Sequence, residues 1–126
     1  MEKDVIHTHK APEPIGPYSQ AIETNGMLYC SGQIPIDPVT GEIPETIEAQ
    51  AHLALSNLKA VIKEAGAEIK DVVKTTIFLT DLSTFVTVNA IYGETFNGKR
   101  PPARSTVQVA ALPKGVLIEI DAIVAL

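Results

Sequence analysis

The sequence predicts a single α+β domain, a mixed β-sheet with two helices packed on one face. Three observations carry this. The chain has 126 residues, the size of one domain with one core. Two stretches repeat their apolar residues at helical spacing, while the other apolar runs are short, alternating or β-branched. The resulting order is ββ-α-β-α-ββ, with no internal repeat and no low-complexity tract. Hydrophobic residues make up 45% of the chain, well above the level of disordered chains. Aromatics are only 5% and Trp is absent, so aliphatic side chains must fill the core.

Residues 1–10 are expected to form a loose arm at the start of a single domain spanning 1–126. Ala11 to Pro17 is rich in Pro and Gly and reads as an irregular lead-in. Tyr18 to Glu23 and Met27 to Gly32 read as strands. Between them, Asn25-Gly26 is the strongest short-range hairpin signal, because both residues tolerate positive φ. Asp37-Pro38-Val39-Thr40-Gly41 has the residues of a turn.

From Thr46 to Ala65 the period becomes helical. Ile47, Ala51, Ala54, Leu55, Leu58, Val61, Ile62 and Ala65 share one face, and Glu48, Lys59, Lys63 and Glu64 lie mostly away from it. Thr46 is the expected N-cap and Gly66 the expected stop. Val72 to Thr80 returns to β-branched and aromatic residues and predicts a strand. A second helix is predicted from Ser83 or Thr84 to Phe96, with Phe85, Val88, Ile91, Tyr92 and Phe96 inward. Gly93 weakens it by about 1 kcal/mol relative to Ala, and Pro101-Pro102 ends it.

Two strands close the chain, Arg104 to Ala110 and Val116 to Val124, joined by Leu112-Pro113-Lys114-Gly115. In the last one, Val116, Ile118, Ile120, Ala122 and Val124 make one apolar face, opposite Leu117, Glu119, Asp121 and Ile123. Two helices can cover only one side of the sheet. The other side must meet solvent or another copy, and its mixture of large aliphatics and acids favours an interface that includes a polar site.

Composition also excludes. Ten Lys and Arg against fifteen Asp and Glu give a net charge of -5, with Lys99-Arg100 the densest basic cluster. That disfavours a nucleic-acid partner, whose binding rests on neutralised phosphates. Cys30 is the only Cys, so a reducing compartment is the natural setting and a small buried hydrophobe its natural role. Met1-Glu2-Lys3-Asp4 lacks the apolar stretch of a signal peptide, and no run approaches the ~20 residues of a membrane span. A cytoplasmic protein is expected. His7 and His9 sit on the expected loose arm, and His52 on the first helix lacks an acid or His at the usual ligand spacing, so no metal site is expected. There is no Gly-rich phosphate loop, Ser-His-Asp set or Cys pair.

Several segments together resemble the reactive-intermediate deaminase (RidA) family. They are Ile15-Gly16-Pro17-Tyr18-Ser19-Gln20-Ala21, Ser31-Gly32-Gln33-Ile34-Pro35, Pro102-Ala103-Arg104-Ser105, Leu112-Pro113 and Ile118-Glu119-Ile120. Asp37-Pro38, Gly41-Glu42 and Val73-Lys74-Thr75-Thr76 fall in the same order, so the likeness covers nearly the whole chain. The resemblance implies a chorismate-mutase-like fold, a homotrimer and active sites in the clefts between subunits. It implies hydrolysis of 2-imino and enamine acids, such as 2-iminobutanoate and 2-iminopropanoate, to 2-keto acids and ammonia without a cofactor.

The same resemblance assigns residues. Arg104 would bind the substrate carboxylate, a task its planar fork performs and Lys does not. Strand alternation places it on one face with Thr106 and Gln108. Glu119 would orient and partly deprotonate the attacking water, with Asp121, on the same face, competing for that role. Tyr18 would line the pocket, Ser31 would contribute a hydrogen bond, and Gly32 would let backbone approach the ligand. Asn89 matches a family Asn near the cleft. Thr106 departs from many relatives, which carry Cys there, so that position would offer backbone groups and shape rather than a thiol. Two other readings compete: an endoribonuclease or translation inhibitor, and a non-catalytic binder of small carboxylated metabolites.

Overall fold

The computed structural model describes residues 2–126. The chain runs β1 (Asp4–Ile6), β2 (Ala21–Thr24), β3 (Met27–Gln33), α1 (Ile47–Glu64), β4 (Val72–Leu79), α2 (Phe85–Thr95), β5 (Ala103–Gln108) and β6 (Ile118–Ala125). The strands form one mixed sheet in the order β1-β2-β3-β6-β4-β5. Only β4 and β5 pair in parallel, and α2 lies between them in sequence as the crossover that parallel pairing requires. All other pairs are antiparallel.

Local chemistry accounts for the predicted elements. Asn25 and Gly26 take φ of 51° and 72°, turning β2 into β3. The Asp37 carboxylate accepts from the amides of Val39 and Thr40, and Gly41 at φ 77° closes that turn. Thr46 caps α1 by accepting from the Ala49 amide at 3.1 Å. Gly66, at φ 83°, stops it. The α1 face of Ala51, Ala54, Leu55, Leu58, Val61 and Ile62 is buried against β3 and β6, and α2 packs beside α1. Along β6, buried Ile118, Ile120, Ala122 and Val124 alternate with half-buried Glu119, Asp121 and Ile123. One sheet face therefore carries the core, and the other is open.

The arm is not loose. Asp4, Val5 and Ile6 pair with Glu23, Ile22 and Ala21, so the N-terminus is an edge strand. Three residues are too few for alternation to register in a sequence, and the tie that holds the segment is not local. Buried Gln20 accepts from the Thr8 amide at 2.7 Å and donates to the carbonyls of Thr8 and Pro12 at 3.0 and 2.9 Å. That inward turn of Gln20 also explains why β2 starts at Ala21 rather than Tyr18. At the other end of the chain, Lys114 and Gly115 both have positive φ, and the Leu117 amide donates to the Gln50 side chain. Ladder pairing in β6 accordingly begins at Ile118, two residues later than the sequence predicts.

Candidate active site

A cavity of about 440 Å³ opens beside the start of β6, lined by Ile15, Tyr18, Ser31, Gly32, Ile34, Pro113, Lys114 and Glu119. Four of the sequence-predicted residues, Tyr18, Ser31, Gly32 and Glu119, thus meet in one place. Two buried amides on α1 set the walls. Asn57 donates to the carbonyls of Ile34 and Ile36, both at 3.0 Å. Gln50 accepts from Leu117, just beyond the turn that carries Lys114.

Glu119 lies against Gly32. A Cβ added to Gly32 would fall 2.7 Å from Glu119 Cδ and 2.9 Å from its Cγ, closer than side-chain atoms pack. The missing Cβ makes room for this chain's own carboxylate. Burial pushes the Glu119 carboxyl above its usual value, and the nearby Asp121 charge adds to the effect. Asp121 is otherwise engaged, since its Oδ1 accepts from the Thr76 amide at 3.0 Å. Among the described residues no donor reaches Glu119.

The other lining groups are partly committed. Ser31 Oγ donates to the Ser19 carbonyl at 2.6 Å, which leaves its oxygen free to accept. The Tyr18 hydroxyl, on a half-exposed side chain, accepts from the Ile15 amide at 3.3 Å. Cys30 is buried, its thiol pushed up to about 12 by desolvation and then by Asp121. It is no nucleophile at neutral pH.

Arg104 is elsewhere. On β5 it stands opposite Thr75, its guanidinium 4.8 Å from the Tyr92 ring centroid and 5.3 Å from that of Phe85. Its Nη1 donates to Asn89 Oδ1 at 2.7 Å. Phe85, Asn89 and Tyr92 share a face of α2 at helical spacing, and together they hold the guanidinium. The Tyr92 hydroxyl is fixed in turn by Thr75 at 2.8 Å. Among the described residues no carboxylate pairs with Arg104. Thr106, two residues on and opposite Ile77, shares its face.

That face is the helix-covered one. Arg104 and Thr106 stand opposite Thr75 and Ile77, which are buried under the helices, whereas Glu119 stands opposite Phe78 on the open face. The predicted site residues therefore fall into two half-sites on opposite faces of one sheet. Sequence reading did not single out Lys114, Pro113, Ile15 or Ile34 as lining residues. The signal for Lys114 was a basic residue in a Pro-Lys-Gly turn leading to Glu119. Phe85 and Tyr92 were expected only as core.

Comparison with known proteins places the chain among relatives of the same fold. A family model described as Endoribonuclease L-PSP matches residues 8–126. The chain is 52% identical over 124 residues to a RutC family protein of Pyrococcus abyssi, covering 98% of this chain and 97% of the relative. It is 47% identical over 123 residues to Escherichia coli TdcF, provisionally named a reactive intermediate deaminase, covering 96% and 95%. Among solved structures, the Rid family protein YyfA of Yersinia pestis is 52% identical, with a TM-score of 0.97 over 99% of this chain and 100% of that one. TdcF with bound serine has a TM-score of 0.93 at 46% identity, covering 98% of each. The fold is a single α+β domain of the kind seen in Rid family structures. This chain belongs to the RidA family, whose members the family model describes as Endoribonuclease L-PSP.

Proposed function

We propose that this protein hydrolyses 2-imino acids and their enamine tautomers to 2-keto acids and ammonia, with 2-iminobutanoate and 2-iminopropanoate as the substrate class. The observation that carries the reading is Glu119, a half-buried carboxylate seated against Gly32 that no donor among the described residues reaches. Such a group takes up a proton readily, and a water beside it is its natural partner. Arg104, fixed on two aromatic rings and unpaired with any acid among the described residues, supplies the complementary anchor for a substrate carboxylate. The relative TdcF with bound serine supports a ligand that carries an amino-acid carboxylate.

The reaction needs positioning more than activation, because a protonated imine is already electrophilic. Water oxygen bonds to the imine carbon while Glu119 takes one of its protons, and the nitrogen becomes an amine. Glu119 then returns that proton to the nitrogen, the C–N bond breaks as the hydroxyl proton passes to the freed Glu119 carboxylate, and ammonia and the keto acid leave. Neither a metal nor a cofactor enters. Tyr18 and Ser31 shape the Glu119 side, with the Ser31 oxygen accepting from the substrate nitrogen. Asn89 and Thr106 shape the Arg104 side.

Opposite sheet faces of one chain cannot grip one small molecule. The reading therefore requires that the Arg104 edge of one copy meet the open face of the next, and a homotrimer closes that head-to-tail contact. A reducing cytoplasm goes with the same reading. The test uses an amino-acid oxidase to generate imines, with semicarbazide competing for them. Faster release of ammonia and keto acid at the expense of semicarbazone supports the enzyme. Binding of keto acids without acceleration replaces it with a non-catalytic binder.

One observation favours a second reading, cleavage of RNA. A groove of about 1340 Å³ is lined by Lys59, Lys63, Lys70, Lys99 and Arg100, half of the ten basic residues. Glu68, Asp71 and Glu94 interrupt it, which weakens the match to a polyanion. Loss of RNA integrity without imine turnover, in the same preparation, would reverse the order of the two.

A further inference from the structure

Apart from both half-sites, the segment after β1 brings two imidazoles and a carboxylate together. Thr8 is buried, so His7 and His9 on either side of it turn outward. Their rings meet edge-on with centroids 5.0 Å apart. Both reach one carboxylate: His7 Nε2 lies 2.6 Å from Glu13 Oε2, and His9 Nδ1 lies 2.9 Å from Glu13 Oε1. The three donor groups have ligand atoms within 4.8 Å of one another.

The backbone beneath is built rather than incidental. Gln20, 1% exposed, accepts from the Thr8 amide and donates to the carbonyls of Thr8, Ala11 and Pro12. One buried amide thus fixes the peptide groups next to all three side chains. Pro12 and Pro14 restrict the chain on both sides of Glu13.

We propose that His7 Nε2, His9 Nδ1 and a Glu13 carboxylate oxygen form a binding site for a first-row divalent cation of the zinc, nickel or copper type, with water completing the coordination. Two imidazoles and one carboxylate suit these borderline ions rather than magnesium or calcium, which take oxygen ligands. Bonds of about 2.0–2.1 Å put tetrahedral ligand atoms about 3.3 Å apart, so the cluster must contract by up to about 1.5 Å at its widest. In the metal-free chain the rings hydrogen-bond the carboxylate. Binding replaces those bonds, moves the remaining ring proton to His7 Nδ1 and His9 Nε2, and releases any proton held by an imidazolium. Sequence spacing hid the set, because Glu13 arrives through a turn that Gln20 holds from beyond it.

Calorimetric titration of the untagged chain with zinc chloride tests this. Near pH 7.5 the wild type should bind one zinc per chain with a Kd on the order of micromolar, weaker than four-ligand structural sites. His9→Ala and Glu13→Gln should each weaken binding at least about 10-fold, and His7→Ala/His9→Ala should abolish it. All three side chains are solvent-exposed, and unchanged circular dichroism would establish that the variants are folded. Absence of saturable heat in the wild type overturns the proposal. So does wild-type affinity in the double variant, which would move the ion to His52 or elsewhere.

Discussion

Glu119 holds a charge where water solvates it poorly, and that has opposite consequences for stability and for chemistry. Its carboxyl titrates above the usual value, first through burial and then through Asp121. Below the unfolded value of about 4.3 the group is neutral in both states and costs nothing. As pH rises through the raised folded value, the unfolded chain ionises more easily, so stability is lost in that window. Glu119→Gln should therefore be more resistant to urea than wild type at neutral pH, with the gap closing towards pH of about 4. The same variant should lose roughly 10²–10⁴-fold in kcat for imine hydrolysis; wild-type turnover would move the base elsewhere. Asp121→Asn keeps an oxygen for the Thr76 amide but removes the charge, so the acid limb of kcat/KM should shift to lower pH. Gly32→Ala forces the Glu119 side chain aside. Turnover should drop by about 10²-fold, as for a misplacement of about an ångström, in a protein whose circular dichroism is unchanged. Of these residues, Glu119 and Arg104 were legible through the family resemblance. Asp121 as the partner of Thr76, Gly32 as a seat for Glu119, and the Phe85–Tyr92 cradle were not. Each depends on a neighbour brought in by sheet register or helix packing, and neither is written in local spacing.

At the scale of elements, α1 does more than cover the sheet. Its buried face carries Gln50 and Asn57, two turns apart, among aliphatic residues. Asn57 holds the segment after β3, and Gln50 holds both the Pro44 carbonyl and the Leu117 amide. The helix so fixes the two loops between which the cavity opens. Asn57→Leu keeps the volume and removes two donated hydrogen bonds. It should cost about 1–3 kcal/mol for each carbonyl left unsatisfied, read as a lower urea midpoint, and should slacken the loop containing Ile34. A midpoint within about 0.5 kcal/mol of wild type, the range of ordinary surface substitutions, would mean that water replaces the amide. Both helices, the hairpin at Asn25-Gly26 and strands β3 to β6 were readable because period and turn chemistry are local. The N-terminal strand was not, since Gln20 reaches back twelve residues to hold Thr8. The same distance concealed the meeting of His7, His9 and Glu13.

For the whole molecule, the decisive fact is that Arg104 and Glu119 occupy opposite faces of one sheet. If they act on the same substrate, each site takes its guanidinium from one subunit and its carboxylate from the next. Such a head-to-tail arrangement closes into a ring and allows a test that no single variant provides. Arg104→Ala and Glu119→Gln should each be nearly inactive as pure proteins. Unfolded together in equal amounts and refolded as mixed assemblies, they should regain activity if the proposed ring forms. A productive site needs Arg104 from a chain carrying the Glu119 substitution and Glu119 from a neighbour carrying the Arg104 substitution. With random assembly each condition is met about half the time, so about a quarter of sites, and about a quarter of wild-type turnover, should return. Mixing the two variants without unfolding should recover far less, because a ring of the proposed kind, once closed, would keep its own subunits. A site completed within one chain predicts no recovery under either protocol, since every chain then lacks one of the two groups. Recovery near a quarter after refolding and near zero before it would establish that the sheet's open face is covered by the Arg104 edge of a second copy.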